Sequence, residues 1–483
     1  MRKIIETIKK KWLRDTVLTV VLVAIIVAAF IALNLWINTL NVTPLDFTQD
    51  KLYTLSEESQ NLVKNINQEV NVYFFGLQSE DSTAMTFVKQ YAEANEKIKI
   101  DVVKVAERPD LAQKYELTAD PEQVVVVVAS GEREKILSAN DFYTYDQTTY
   151  ETIDVTEEKL TNAILDVTTK EKPVVYFLTG HGEYGTTKEM VSFATLLQNE
   201  IMDVKTLDLL KAEFPEKCDT LVIATPSKDF ADKETTAIIN YINKGGNILW
   251  MQDVSIEEKK LPNVQKVLDL YGVSFNKGML YEQDSSKMLL NAPQLITPII
   301  NSHTITKDII SKDGVVFASS GKLTIADSTK LEELKVSANE FIKTSATAFY
   351  RDNFNTSSSA AKQANEEAKE YTVGAECVKT IKDDVQSKLV VYANNFFATD
   401  ATMPVGNNQY VYLIQLYNNK DLAINSVAYL TEKEDSIRIR KDTGTVTFTV
   451  TEQQDKIVKA IIFGVPILIV ATGIIVWILR RRK

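Results

Sequence analysis

Residues Lys172–Glu183 read KPVVYFLTGHGE. A proline opens the stretch, an apolar run follows (Val174, Val175, Tyr176, Phe177, Leu178), and Thr-Gly-His-Gly-Glu closes it. A run of this length ended by glycines predicts a buried strand that stops in a tight turn. In an open α/β sheet, ligands bind at the carboxyl ends of the strands. His181 is one of two histidines in the chain, the other being His303.

Toward the C-terminus, Lys188–Asn199 predicts a helix and Val204–Leu207 a short strand. TLVIA at Thr220–Ala224 predicts a buried strand that stops at Thr225-Pro226-Ser227. Asp232–Lys244 predicts a helix, NILWM at Asn247–Met251 the next strand, and Val264–Tyr271 a further helix. This alternation predicts an α/β class with a doubly wound parallel sheet, its first part over residues 156–280. The signal weakens beyond 280. Residues 281–450 read as a continuation, with a polar insert at 356–369, a buried strand at Leu389–Ala393 and a helix over Asn408–Tyr429. Ser436–Arg440 and Thr445–Val450 read as a hairpin.

Toward the N-terminus, Val155–Thr168 predicts an amphipathic connecting helix. Residues 41–155 carry strands at Val70–Phe75, Ile98–Val105, Val124–Ala129 and Arg133–Leu137, with helices at Ser82–Asn95 and Pro109–Tyr115. That β-α-β-α-β-β order looks like a thioredoxin-type domain, but the redox dithiol is missing. Ser56, followed by Glu57 and Glu58, predicts a capped helix. The apolar residues Leu45, Phe47, Leu52, Tyr53 and Leu55 just before it are expected to dock on the domain.

Both ends read as membrane spans. Val17–Leu40 and Ala460–Leu479 carry no charge, and roughly 20 apolar residues suffice to cross a bilayer. Residues 1–16 hold Arg2, Lys3, Lys9, Lys10, Lys11 and Arg14 against Glu6 and Asp15, and 480–483 are Arg-Arg-Arg-Lys. By the positive-inside tendency both flanks are cytoplasmic, which leaves a cell-membrane protein with a large domain outside. The formal charge of −11 therefore hides a more acidic middle, which argues against nucleic acid as a partner.

The glycines and acid–base pair of Gly180, His181, Gly182 and Glu183 are the sharpest chemical candidate. His and Glu two apart could serve as base and acid or as metal ligands. No third member stands nearby: there is no HExxH, no HxH, and nothing joins His303 to His181. The expectation is a turn or a non-covalent contact for a ligand or partner, with no catalytic residue, metal or cofactor. Cys218 and Cys377 leave a single disulfide open and offer no zinc spacing. Gly314-Val-Val-Phe-Ala-Ser-Ser-Gly321-Lys322-Leu323 only mimics a P-loop: six residues separate its glycines, and leucine follows the lysine.

CDTLVIATPSKDFADKETTAIINYINKGGNILWMQD, from Cys218 to Asp253, resembles the amidotransferase-like fold. There the nucleophilic Cys sits at a strand-to-helix elbow; here Cys218 precedes the strand and the elbow is Thr-Pro-Ser, so the enzyme reading fails. LDFTQDKLYTLSEESQNLVKNI, VNVYFF, VVYFLTGHGE and TLVIATP…YINKGGNILWMQD together resemble the GldG-like family, most strongly over residues 42–255, with LVVYANNFFA and the closing apolar helix also fitting. The resemblance implies a non-catalytic, membrane-anchored auxiliary subunit of an ABC-type (ABC-2-like) transport system, working with a separate ABC ATPase and a multi-span permease. Two other readings stay open: an anchored receptor or scaffold for cell-wall glycan or peptide, and a hydrolase using His181 and Glu183.

Overall fold

The computed structural model describes residues 17–18, 21–32, 54–76, 83–117, 124–145, 152–254, 260–307, 309, 314–352, 360–382, 385–406, 409–432, 459, 473 and 478. The chain divides into two units, Met1–Thr54 with Thr445–Lys483, and Leu55–Gly444. In the first, residues 17–18 and 21–32 are helical. Among the described residues no helix is long and apolar enough to cross a membrane. Residues 19–20 and 33–40 of the first expected span, nearly all of the second, and the hairpin expected at 436–450 lie outside the described residues.

The second unit opens with a four-stranded sheet. Its strands are β1 (Val70–Phe75), β2 (Ile98–Val103), β3 (Val125–Ser130) and β4 (Arg133–Ser138), in the spatial order β2-β1-β3-β4. β1 and β2 are parallel, while β3 runs antiparallel to both its neighbours. One face buries Val70, Val72, Val126 and Val128 against α1 (Glu57–Lys64), α2 (Thr83–Ala94) and α4 (Thr156–Thr168). The other buries Phe75, Val103 and Val127 against Leu111 of α3 (Pro109–Lys114). The alternation of side chains along each strand dictates this two-sided burial. α4, expected as a connector, inserts Leu160, Ile164 and Val167 into this core.

The stretch before α1 docks where it is described. Leu55 is buried, its amide donates to Gln90 Oε1 at 2.9 Å, and the Ser56 amide donates to Glu157 Oε1 at 2.8 Å. Ser56 Oγ caps α1 by accepting from the Ser59 amide.

The large sheet has eight strands, in the order β9-β10-β11-β12-β8-β7-β5-β6. These are β5 (Val174–Leu178), β6 (Asp203–Leu207), β7 (Thr220–Ala224), β8 (Asn247–Met251), β9 (Ile299–Ile300), β10 (Val336–Lys343), β11 (Thr372–Lys382) and β12 (Val385–Tyr392). The fold class is α/β, as expected, but the sheet is not parallel throughout. β6, β5, β7, β8 and β12 are parallel; β11, β10 and β9 extend it antiparallel. The reason is the connection: β12 is entered from a hairpin with β11 rather than from a crossover helix.

The parallel strands are covered on both faces. Val222, Leu249, Met251 and Val390 face α5 (Val191–Asn199) and α8 (Asn419–Leu430). Leu221, Ile223, Ile248 and Trp250 face α6 (Asp232–Asn243) and α7 (Pro262–Asp269). Burial on both sides explains why TLVIA and NILWM read as unbroken apolar runs.

One further expectation is corrected. The helix expected over Asn408–Tyr429 starts only at Asn419, because Gln409–Tyr412 is a strand paired with Thr402–Gly406. The polar insert, where described, is a largely exposed loop, and two contacts tie it to the domain. Glu366 forms a nearly buried ion pair with Arg351 at 2.5 Å, and Ala368 bridges to Phe349.

Candidate functional site

β6 lies on one side of β5 and β7 on the other. The chain therefore reverses direction across the sheet between β5 and β7, and a crevice opens at such a switch point, beyond the strands' carboxyl ends. The turn after β5 carries Gly180, His181, Gly182 and Glu183; the turn after β7 carries Thr225, Pro226 and Ser227.

The two turns are bound to each other. The His181 carbonyl accepts from the Ser227 amide (2.8 Å), the Lys228 amide (3.0 Å) and Ser227 Oγ (3.0 Å). Gly182 has φ +80°, and a Cβ there would stand 2.1 Å from Ser227 Oγ. Both the left-handed backbone and the close approach demand glycine at that position.

The His181 ring is 4% exposed and sits between two carboxylates. Nδ1 is 3.2 Å from Glu183 Oε1 and Nε2 is 2.9 Å from Glu234 Oε2. Glu183 Oε2 also accepts the His181 amide at 2.7 Å, and Glu234 Oε2 accepts the Ala231 amide at the start of α6 at 2.8 Å. The side chains of Glu183 and Glu234 are essentially fully covered. Phe230 meets the ring edge to face at 5.0 Å. Each ring contact needs one proton, so the cluster holds two, on the ring or on a carboxyl. Both nitrogens are thus spent inside the protein, and neither is directed at a substrate or metal. Among the described residues no group of three or more His, Cys, Asp and Glu could hold a metal ion.

The seam continues across the sheet. The Tyr184 amide donates to the Ala224 carbonyl at 3.0 Å, and its hydroxyl to Asp253 Oδ2 at 3.1 Å, just past β8. Burial and the Asp253 charge push the Tyr184 phenol well above its ordinary value. The Asp253 amide donates to Thr225 Oγ1 at 3.0 Å. Glu189 Oε2 accepts the Gly185 amide, and its carbonyl accepts the Asp400 amide from beyond β12. The turns after β5, β7, β8 and β12 are therefore stitched into one polar edge.

Glu234, Tyr184 and Asp253 were not singled out by the sequence. The available signal was Glu234 at the third position of a helix whose preceding residue, Ala231, has no capping side chain. That vacancy invites the glutamate to bend back to the Ala231 amide, and this places it beside the turn.

His303 belongs elsewhere. It stacks on Phe341 of β10 at 4.6 Å, and Nε2 lies 3.1 Å from Glu376 Oε2 of β11. Tyr429 of α8 donates to the other Glu376 oxygen. Burial raises the Glu376 pKa, yet the bonds from His303 and Tyr429 outweigh it and hold the carboxyl below its ordinary value.

Cys218 and Cys377 are both free. Burial pushes each thiol up to about 12, so neither supplies a ready thiolate. In the P-loop-like run, the amides of Ser319 and Gly321 are already donated to the carbonyls of Gln294 and Ala393, both at 2.8 Å. They do not form a cradle for phosphate.

Residues 172–426 match the model of a family described as an ABC-type uncharacterized transport system. Residues 49–143 match a domain of unknown function. No curated protein matches the chain. Among solved structures, the mmIFT52 N-terminal domain is similar over 53% of this chain and 97% of its own, at 15% identity and a TM-score of 0.39. A ThuA-like protein from Bacteroides uniformis ATCC 8492 is similar over 54% of this chain and 93% of its own, at 13% identity and a TM-score of 0.30. Scores this low carry no conclusion about this chain.

Proposed function

This chain belongs to the family described as an ABC-type uncharacterized transport system, and from that premise we propose that it is a non-catalytic, membrane-anchored auxiliary subunit of the GldG-like kind. It works with a separate ABC ATPase and a multi-span permease. The family match over residues 172–426 carries the reading. Two spans, at 17–40 and 460–479, hold residues 1–16 and 480–483 in the cytoplasm and the intervening domains outside. The order β2-β1-β3-β4 with antiparallel β3 supports a thioredoxin-like domain over 41–155. The five parallel strands covered on both faces support an amidotransferase-like domain from 156 onward.

The non-catalytic assignment is supported by the state of the best chemical candidate. His181 is locked between Glu183 and Glu234, and the thiols of half-buried Cys218 and buried Cys377 both have raised pKa. The polar edge formed by Gly180–Glu183 and the neighbouring turns then serves as a rigid surface for a partner or ligand.

A mild-detergent pull-down of the tagged chain from its native membrane tests the reading. Co-purification of an ABC ATPase with a permease is the expected result. Recovery of the chain alone, or only with cell-wall enzymes, overturns it.

A further inference from the structure

The lysine of the P-loop-like run, Lys322, lines a cavity of about 310 Å³ that the proposed function does not use. Its Nζ stands over the ring of Tyr350, 4.0 Å from the centroid, and 5.8 Å from the ring centre of Tyr371. Ring faces attract an ammonium group but accept its N–H donors poorly. Burial accordingly favours the neutral amine of Lys322, with the charge of Asp352 opposing.

The charge inventory of the walls is specific. Arg351 is held by both oxygens of Glu366, at 2.5 and 2.9 Å. Lys369 is held by Glu367 at 2.7 Å. The remaining charged groups on the lining are Lys322, half-buried, and Asp352, exposed; neither forms an ion pair or hydrogen bond among the described residues, though the Asp352 charge reaches Lys322. Gln363 and Asn365, both exposed, also line the cavity.

A simple anion would meet Lys322 but be repelled by Asp352. A simple cation would meet the reverse. The lining carries equal numbers of cations and carboxylates, so its field favours neither. A molecule bearing both charges meets Lys322 and Asp352 together, lays its stem against the tyrosine faces, and has the polar residues Gln363 and Asn365 beside it. We propose that this cavity binds a small zwitterion, an amino acid or short peptide, with its carboxylate on Lys322 and its ammonium group on Asp352. The site rests on the cavity alone and stands whether or not the transport reading does.

Calorimetric titration of the full chain in detergent with L-alanyl-L-alanine tests this. Saturable binding with a Kd of about 1 mM or tighter is expected, weakened about tenfold in both Lys322→Gln and Asp352→Asn. Acetate and ethylammonium, each carrying one of the two charges, should bind at least about tenfold more weakly than the dipeptide. Absence of dipeptide binding, equal binding of acetate, or binding unchanged in both variants overturns the proposal. Lys322→Arg keeps the charge and should keep binding, which separates loss of the site from loss of the fold.

Discussion

Nε2 of His181 lies 2.9 Å from Oε2 of Glu234, fifty-three residues further along the chain, and that same oxygen accepts the Ala231 amide at the start of its own helix. One carboxylate thus ties the turn after β5 to the N-terminus of α6. Glu234→Ala strands a buried imidazole nitrogen and a helix-start amide together, and should cost about 2–4 kcal/mol. Glu234→Gln keeps an acceptor and should cost less. Denaturant unfolding of the full chain in detergent decides; equal costs for the two variants would show that the bond contributes nothing specific.

Gly182 and Gly131 make a controlled pair. Both have positive φ, but a Cβ at Gly131 meets nothing within 4 Å, whereas at Gly182 it meets Ser227 Oγ. Gly131→Ala should cost about 1 kcal/mol of backbone strain. Gly182→Ala should cost more than that, with the excess relieved in Gly182→Ala/Ser227→Gly. Thermal melting of the four proteins is the measurement, and an unrelieved double variant would refute the clash.

Glu376 gives a pH signature. Its folded pKa is depressed, so its contribution is present above the unfolded carboxyl pKa and is lost as pH falls through the folded value. The stability difference between the parent and Tyr429→Phe should therefore be full at neutral pH and shrink below about pH 4. A gap that stays constant under acid would assign the loss to something other than that carboxylate.

Cys218 and Cys377 should resist alkylation by iodoacetamide at mildly alkaline pH in the folded chain and react together once it is denatured, because burial pushes both thiols up to about 12. Mass spectrometry reads this directly. Fast labelling of either cysteine in the folded state would contradict the burial argument.

Legibility followed burial. β5, β7 and β8 were readable because two-sided burial leaves an uninterrupted apolar run, and the turns after β5 and β7 are marked by Gly or Pro. The antiparallel half was not. β10 (VSANEFIK) and β11 (TVGAECVKTIK) mix charged and small residues with the apolar ones, so their pairing is set by partners distant in sequence. Gln409–Tyr412 read as helix because the YVYLIQLY stretch presents apolar residues at every spacing, and only its pairing with Thr402–Gly406 settles it as a strand. The histidine turn was visible in the sequence, while Glu234, which locks it, was hidden in an ordinary helix start.

β8 bears on the order of assembly. It is paired on one side by β7, which precedes it closely, and on the other by β12; the Lys388 amide reaches Asn247 Oδ1 across 141 residues. During synthesis NILWM is made long before its second neighbour. Until β12 emerges, β8 is a bare apolar edge, the kind of surface that recruits stray strands. Misassembly of this protein should therefore begin at β8, and a ribosome paused between residues 251 and 385 would hold it in its most adhesive state.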